Sequence, residues 1–284
     1  MERNLKDIND IKYYSVTRDN PIIIKLDKTK QKSLYHYTTK EGVKGIVNSN
    51  TLWVTHSDFL DDKTEVKYIH YVLCGVIKYL KQNRKLYKPD IMECVFVYEK
   101  IIKTLEALKD IYVKGAPISG ASLFILSLTE HKKNKYLIEN YCKNSGGILE
   151  FSNDINYIKD VKEKRICCFM AKVEYDLAKQ MTIILEDINE FWCELSNTLI
   201  SEEKIDYLEV VETIKSIIYT KIINYSFFFK HRKYSKEKEY RLMFLANDEY
   251  CSSCIRDREK YNKKIPYIEI KFDDEMLRGV TKIK

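Results

Sequence analysis

Two glutamates and an arginine stand close together near the end of the chain. Glu237, Glu239 and Arg241 are spaced two residues apart, so we expect them to share one face of a strand that begins here. A guanidinium beside such a pair can hold one carboxylate oriented and ionised. The alternative is an ion pair on an edge strand, which discourages aggregation. The sequence leaves both interpretations open.

A histidine flanked by two tyrosines is the second candidate for chemistry. Strand alternation places His36 and Thr38 on one face of a short predicted strand, and Tyr35 and Tyr37 on the other. A histidine in this setting can keep one tautomer and donate a hydrogen bond to a ligand hydroxyl. A structural histidine that bonds within the sheet is the alternative.

Two further clusters contain residues that can bind metals. Asp61, Asp62 and Glu65 precede a predicted helix, where acidic side chains cap the helix and complement its dipole; a divalent cation is the alternative. Cys251 and Cys254 form one CxxC in what we predict to be a polar loop, and structural zinc usually needs a second pair. We therefore expect no metal site. The sequence also lacks a Gly-rich phosphate loop, an HExxH motif and a nucleophile elbow.

Composition restricts the class of protein. The chain has 284 residues, of which 45% are hydrophobic and 32% charged, so we expect a folded core. We find no uncharged apolar run of about 18 residues and no apolar leader, which predicts a cytoplasmic protein without a membrane partner. The net charge is +7, but Arg supplies only nine of the 49 basic residues. Because Arg is the better bidentate ligand of phosphate, charge alone is weak support for nucleic-acid binding.

Predicted strands and helices must position these residues. Strands alternate with helices early in the chain, and strands follow one another near its end. This order predicts an α+β fold with a mixed sheet rather than a doubly wound parallel one. We expect an N-terminal extension at 1–32, with a strand at Ile22 to Ile24, and a single domain at 33–284 with a helical region at about 177–225. The other predicted strands are 33–39, 51–55, 121–129, 146–151, 166–173, 239–245, 265–272 and 279–284, and the other predicted helices are 41–48, one beginning at Thr64, and 91–113.

Several motifs together resemble a bacterial domain-of-unknown-function family over residues 33–284. Its members open with an LYHYTS-like strand and continue with LW, NDxxE and ExEYRL motifs. The chain departs from the family at Asp61, where Asn is usual, and at Tyr136, where Trp is common. The segments that carry the resemblance are Leu34 to Thr39 with Gly42 and Ile46, Leu52 to Thr55, Phe59 to Asp62 with Glu65, Phe124 to Thr129, Tyr141 before Gly146 and Gly147, and Glu237 to Leu242.

The arrangement of this family is in turn similar to that of ADP-ribosyltransferases. The resemblance implies a split β-sheet with flanking helices and a helical insertion, and NAD as the substrate. It also implies that Glu239 is catalytic, with Glu237 two residues before it. The residues expected to bind NAD are His36, Tyr37, Thr38, Ser127, Tyr141 and Arg241.

Three functional hypotheses follow. The first is an NAD-dependent ADP-ribosyltransferase or NAD glycohydrolase, a bacterial toxin or phage-defence effector whose acceptor is a nucleic acid or a protein. The second is a non-catalytic sensor module of a defence system that binds a nucleotide or a nucleic acid. The third is a metal-dependent nuclease, which depends on Asp61, Asp62 and Glu65 alone. The sequence leaves the acceptor and the oligomeric state open.

Overall fold

A computed structural model describes residues 26, 29–62, 64, 66–87, 92–114, 121–142, 145–163, 166–201, 206–260 and 262–283. The chain divides into two compact units. A helical unit takes its described residues from 66–117 and 176–229, and a sheet unit takes them from 26–65, 118–175 and 230–284. The sequence predicted one domain over 33–284, with a helical region that corresponds to the second segment of the helical unit.

The strands all belong to the sheet unit, and most of them coincide with predicted strands. They are β1 (Ser33–Thr38), β2 (Thr51–His56), β3 (Ala121–Thr129), β4 (Gly147–Ser152), β5 (Cys167–Lys172), β6 (Glu239–Asn247), β7 (Arg256–Lys260), β8 (Lys263–Lys271) and β9 (Leu277–Lys282). Every described strand pair is antiparallel. The predicted α+β class is confirmed, and the sheet is antiparallel where we predicted a mixed one.

Strand β3 lies at the centre of the sheet. One edge of β3 pairs with β6 along its whole length. The other edge pairs with two strands: β2 at Phe124 and Ile125, and β1 at Thr129. Because β1 and β2 share this edge at different ends, the sheet splits between them, beside Leu126 and Ser127.

The described helices differ widely in length. They are α1 (Lys40–Ser49), α2 (Ile69–Gln82), α3 (Met92–Lys114), α4 (Lys135–Leu137), α5 (Lys159–Lys162), α6 (Leu177–Ser201), α7 (Tyr207–Phe228) and α8 (Asp248–Cys254). Within the part of the chain that the structure describes, no helix is both long and apolar enough to cross a membrane.

The sheet unit buries one face of its sheet in a hydrophobic core. Leu34, Leu126 and Leu242 belong to this core, and α1 contributes Ile46 to it. The side chain of Thr39 caps α1 by accepting a hydrogen bond from the Gly42 amide at 3.2 Å. On β1, Leu34 thus points into the core while Tyr37 packs in a second cluster, as strand alternation requires.

The helical unit contains α2, α3, α6 and α7. Helix α2 begins at Ile69, later than the predicted start at Thr64. The reason is local: Val66 has a φ of 64°, a left-handed conformation that interrupts a helix. Asp206 caps α7 by accepting hydrogen bonds from the amides of Leu208 and Glu209 at 2.9 and 3.2 Å.

The region after β6 differs most from the sequence prediction. Cys251 and Cys254 lie on α8 rather than in a polar loop, and β7 was not predicted at all, because its sequence is almost entirely charged. Among the described residues no two cysteines form a disulfide bond. The predicted strand at Ile22 to Ile24 lies outside the described residues.

Candidate functional site

A cleft opens in the sheet unit at the split beside β3. Its volume is about 840 Å³, within the range of small-molecule sites. His36 and Thr38 from β1 line it, with Ser127 from β3 and Tyr141 from the turn after α4. Tyr37 also lines it, so five of the six residues that the resemblance assigns to NAD binding lie in one cleft. Arg241 is not among the lining residues.

The imidazole of His36 reaches across the split to β3. Its Nδ1 donates a hydrogen bond to the backbone carbonyl of Ser127, at 3.1 Å, because a carbonyl can only accept. Burial lowers the pKa of His36, and the bond to the Ser127 carbonyl opposes this effect. The neutral ring leaves Nε2 with a lone pair, so His36 offers a ligand an acceptor, where we expected a donor.

Ser127 links β1 to the acidic end of β6. Its hydroxyl donates a hydrogen bond to Oε1 of Glu239 at 2.6 Å, and its side chain is exposed to the cleft. The strand register explains the contact, since Ser127 lies opposite Arg241 and Thr129 lies opposite Glu239 on the same face. Ser127 thus bonds to His36 through its backbone and to Glu239 through its side chain.

The carboxylate of Glu239 is buried in a network of charges. Arg241 donates from Nε and Nη2 to its two oxygens at 2.8 and 2.9 Å, and Lys230 Nζ lies 3.3 Å from Oε2. The side chains of Glu239 and Arg241 are 1% and 0% exposed. Burial by itself raises the pKa of Glu239, but the charges of Arg241 and Lys230 outweigh it and hold the pKa below its usual value.

Glu237 belongs to the same network but not to the strand. It lies in the 3₁₀ turn before β6, and Lys238 separates it from Glu239 with a φ of 49°. The expectation that Glu237, Glu239 and Arg241 share one strand face is therefore wrong. Lys230 Nζ donates to Oε2 of Glu237 at 2.9 Å, so one lysine joins the two glutamates. Burial raises the pKa of Glu237, with the positive charge of Lys230 opposing it.

The predicted aromatic residues have different roles. The Tyr37 hydroxyl donates to the His131 carbonyl at 2.6 Å and accepts from the Asn134 amide at 3.0 Å, so it holds a loop. Tyr141 is 39% exposed. Burial raises the pKa of Tyr141, and the nearby charge of Glu237 adds to this effect. Tyr141 is therefore the better placed of the two to stack on a ligand.

Backbone contacts around Thr38 depend on glycine. A Cβ on Gly146 would lie 2.2 Å from the Thr38 carbonyl oxygen and 2.6 Å from that of Cys142, and both obstacles are backbone atoms. A Cβ on Gly45, which also lines the cleft, would meet nothing within 4 Å. Thr38 is thus placed by close packing of β1 against the residues before β4.

The structure also brings residues into the cleft that sequence reasoning did not select. Trp53 is 49% exposed, and its ring centroid lies 4.6 Å from that of Tyr267. Arg258 lies on β7 and lines the cleft together with Glu259. The LW motif was a signal for Trp53. Arg258 had none, because β7 was not recognised as a strand.

In the acidic loop after β2, the Asp62 side chain stabilises the loop through hydrogen bonds. Asp62 is buried and accepts hydrogen bonds from the Thr64 amide at 2.9 Å, the Thr64 hydroxyl at 2.7 Å and the Tyr234 hydroxyl at 3.0 Å. Asp61 lines the cleft, and Glu65 lies outside the described residues. Among the residues with described positions, no three His, Cys, Asp or Glu side chains form a group able to hold a metal ion.

Comparison with protein-family models, with curated proteins and with solved structures finds no match to this chain. The geometry of the cleft is therefore the basis for proposing a function.

Proposed function

We propose that the cleft binds NAD and that the chain breaks the nicotinamide–ribose bond, as an ADP-ribosyltransferase or an NAD glycohydrolase. One observation carries the proposal: His36 and Glu239, which come from opposite ends of the sheet unit's sequence, both bond to Ser127 at the split. The cleft beside them has the size of a small-molecule site.

The chemistry requires stabilisation of positive charge on the sugar. The C–N bond breaks, and its electron pair leaves with the nicotinamide nitrogen, which neutralises the pyridinium. The anomeric carbon gains oxocarbenium character until water, or an acceptor nucleophile, bonds to it and releases a proton. A fixed negative charge near that carbon lowers the barrier.

Glu239 acts through Ser127 in this proposal. The Ser127 hydroxyl donates a hydrogen bond to the ionised Glu239 carboxylate, so its oxygen presents an electron-rich lone pair to the cleft. That oxygen accepts a hydrogen bond from the ribose, and Nε2 of His36 accepts another from a second sugar hydroxyl. Glu239 is then a positioning residue, and Tyr141 stacks on the nicotinamide ring.

The charge of the cleft favours the pyridinium end of this substrate. Among the described residues that line it, four carry carboxylates and one is an arginine; the acidic residues are Glu41, Asp61, Glu259 and Glu269. Carboxylates attract a pyridinium and stabilise an oxocarbenium ion, whereas they repel a polyanion. A nucleic acid is therefore a poor occupant of the cleft itself, and as an acceptor it would present one base or end to it.

A non-catalytic nucleotide-binding module is the second candidate. The burial of Glu239 favours it, because the carboxylate is 1% exposed and already paired with Arg241 and Lys230. Such a carboxylate serves to hold Ser127 in place whether or not a bond is broken. This candidate predicts nucleotide binding without consumption of NAD.

The deciding experiment measures both NAD consumption and NAD binding for the wild type, Ser127→Ala and Ser127→Thr. Loss of one charge-assisted hydrogen bond is worth about 1.5–3 kcal/mol, so we expect kcat of Ser127→Ala to fall about 10- to 100-fold, and Ser127→Thr to restore part of it. Ser253→Ala is the matched control, because Ser253 is an exposed serine on α8 whose hydroxyl bonds to the Tyr250 carbonyl.

Two results would count against the proposal. Folded wild-type protein that binds NAD without consuming it would support the second candidate instead. An unchanged kcat for Ser127→Ala would remove the link between Glu239 and the substrate.

A further inference from the structure

Arg258 is a cation with unused hydrogen-bonding capacity at the cleft. Its Nη2 donates to the Thr55 hydroxyl at 2.7 Å, and its guanidinium carbon lies 5.8 Å from the centroid of the Tyr267 ring. Its Nε is buried and has no hydrogen-bond partner among the described residues. No carboxylate within the described part of the chain forms an ion pair with Arg258.

Two other arginines of the sheet unit differ in this respect. Arg241 is bonded to Glu239, and Arg256 forms an ion pair with Glu269 at 3.0 Å. Arg258 is half-buried, and burial lowers its pKa, which reflects the cost of removing its charge from water. A buried guanidinium without an anion is unfavourable unless a ligand supplies one. The arrangement therefore calls for an anionic group.

A flat aromatic surface lies beside this cation. The rings of Trp53 and Tyr267 lie 4.6 Å apart at an angle of 30°, and Arg258 lies over the same Tyr267. Trp53 remains half exposed and lines the cleft, so one part of its ring can receive a planar group. Stacking of a nucleic base on an aromatic ring is worth about 1–3 kcal/mol.

We infer that Arg258 and Trp53 form a subsite for the phosphate and the base of a nucleotide, with the phosphate on the guanidinium and the base stacked on the indole. The planar fork of arginine suits a phosphate, and the adjacent indole suits a base. This inference rests on the proposed function only in its choice of a nucleotide as the ligand; it does not require that any bond be broken.

The subsite also gives the ligand a direction in the cleft. Arg258 belongs to β7, next to β8, whereas His36 and Ser127 lie at the split between β1 and β3. A dinucleotide that places its base and phosphate at Arg258 and Trp53 presents its far ribose to His36 and Ser127.

The test compares ADP-ribose with adenosine, which has the same base but no phosphate. Titration calorimetry is applied to the wild type, Arg258→Gln, Arg258→Lys and Trp53→Ala. We expect Arg258→Gln to lower the affinity for ADP-ribose about 10- to 100-fold, since a hydrogen bond to a charged group is worth about 1.5–3 kcal/mol. The affinity for adenosine should fall less than twofold. Arg258→Lys keeps the charge and loses the planar fork of hydrogen-bond donors, so its affinity for ADP-ribose should lie between that of the wild type and that of Arg258→Gln. Trp53→Ala lowers the affinity for both ligands, because both contain the base.

Lys263→Gln is the matched control, because it removes one positive charge from the same hairpin at an exposed position outside the cleft lining. Its affinities should equal those of the wild type. Three results would each overturn the inference. They are equal losses of affinity for both ligands in Arg258→Gln, no loss of affinity for either ligand, and no binding of ADP-ribose by the wild type. ADP-ribose binding that depends on Arg258 in a protein that does not consume NAD would keep the subsite and reject the proposed bond cleavage.

Discussion

Replacement of Glu239 by Gln tests the charge network that underlies the site. The substitution keeps the size of the side chain and removes the one charge that faces both Arg241 and Lys230. Arg241 is then a fully buried cation that has lost its carboxylate partner, while Lys230 keeps Glu237 at 2.9 Å. The Ser127 hydroxyl also loses an anionic acceptor.

The expected effect on stability is large. Removal of one partner from a buried ion pair costs about 3–5 kcal/mol, because the remaining charge stays in a poorly solvated place. The Glu239–Arg241 pair meets this condition, with side chains 1% and 0% exposed. Glu150→Gln is the matched control: Glu150 pairs with the half-exposed Lys132 at 3.1 Å, and such surface pairs contribute at most about 1 kcal/mol.

Urea unfolding measures the difference. In a Trp192→Phe background, Trp53 is the remaining tryptophan, so fluorescence reports on the sheet unit. We expect the double variant Glu239→Gln, Arg241→Met to be more stable than Glu239→Gln alone, because the buried guanidinium that lost the Glu239 carboxylate is gone. A loss below about 1 kcal/mol for Glu239→Gln, or no recovery in the double variant, would refute the reasoning.

Three other predictions concern the cleft and its surroundings. An NMR titration should show His36 still neutral below pH 6.5, since burial lowers its pKa. Because the unfolded chain then binds a proton that the folded chain does not, the free energy of unfolding should fall as the pH decreases below 6.5, and His36→Gln should reduce this slope; His56 contributes in the same direction. A normal His36 pKa would contradict the described burial. Gly146→Ala should destabilise the protein by about 1–3 kcal/mol, because its Cβ meets backbone atoms. Gly45→Ala should stabilise α1 by about 0.5–1 kcal/mol, because its Cβ meets nothing and alanine favours a helix. Thermal unfolding midpoints equal to that of the wild type would contradict both expectations.

The elements that depend on local pattern could be read from the sequence. β-branched and aromatic residues predicted β1, β2 and β3 to within a residue or two, and a threonine cap predicted α1. The sequence also pointed to His36, because a histidine between two tyrosines can keep one tautomer, and the resemblance to ADP-ribosyltransferases added Ser127. These features are local, so a single sequence can show them.

How these residues meet depends on strand pairing across the whole sheet. Strand pairing set Ser127 opposite Arg241, which brought Glu239 within reach of its hydroxyl. The left-handed Lys238 removed Glu237 from the strand face, and the pairing of β7 with β8 brought Arg258 to the cleft. A sequence pattern specifies which face of a strand a residue occupies, but pairing between distant strands and the burial of charge depend on the whole fold.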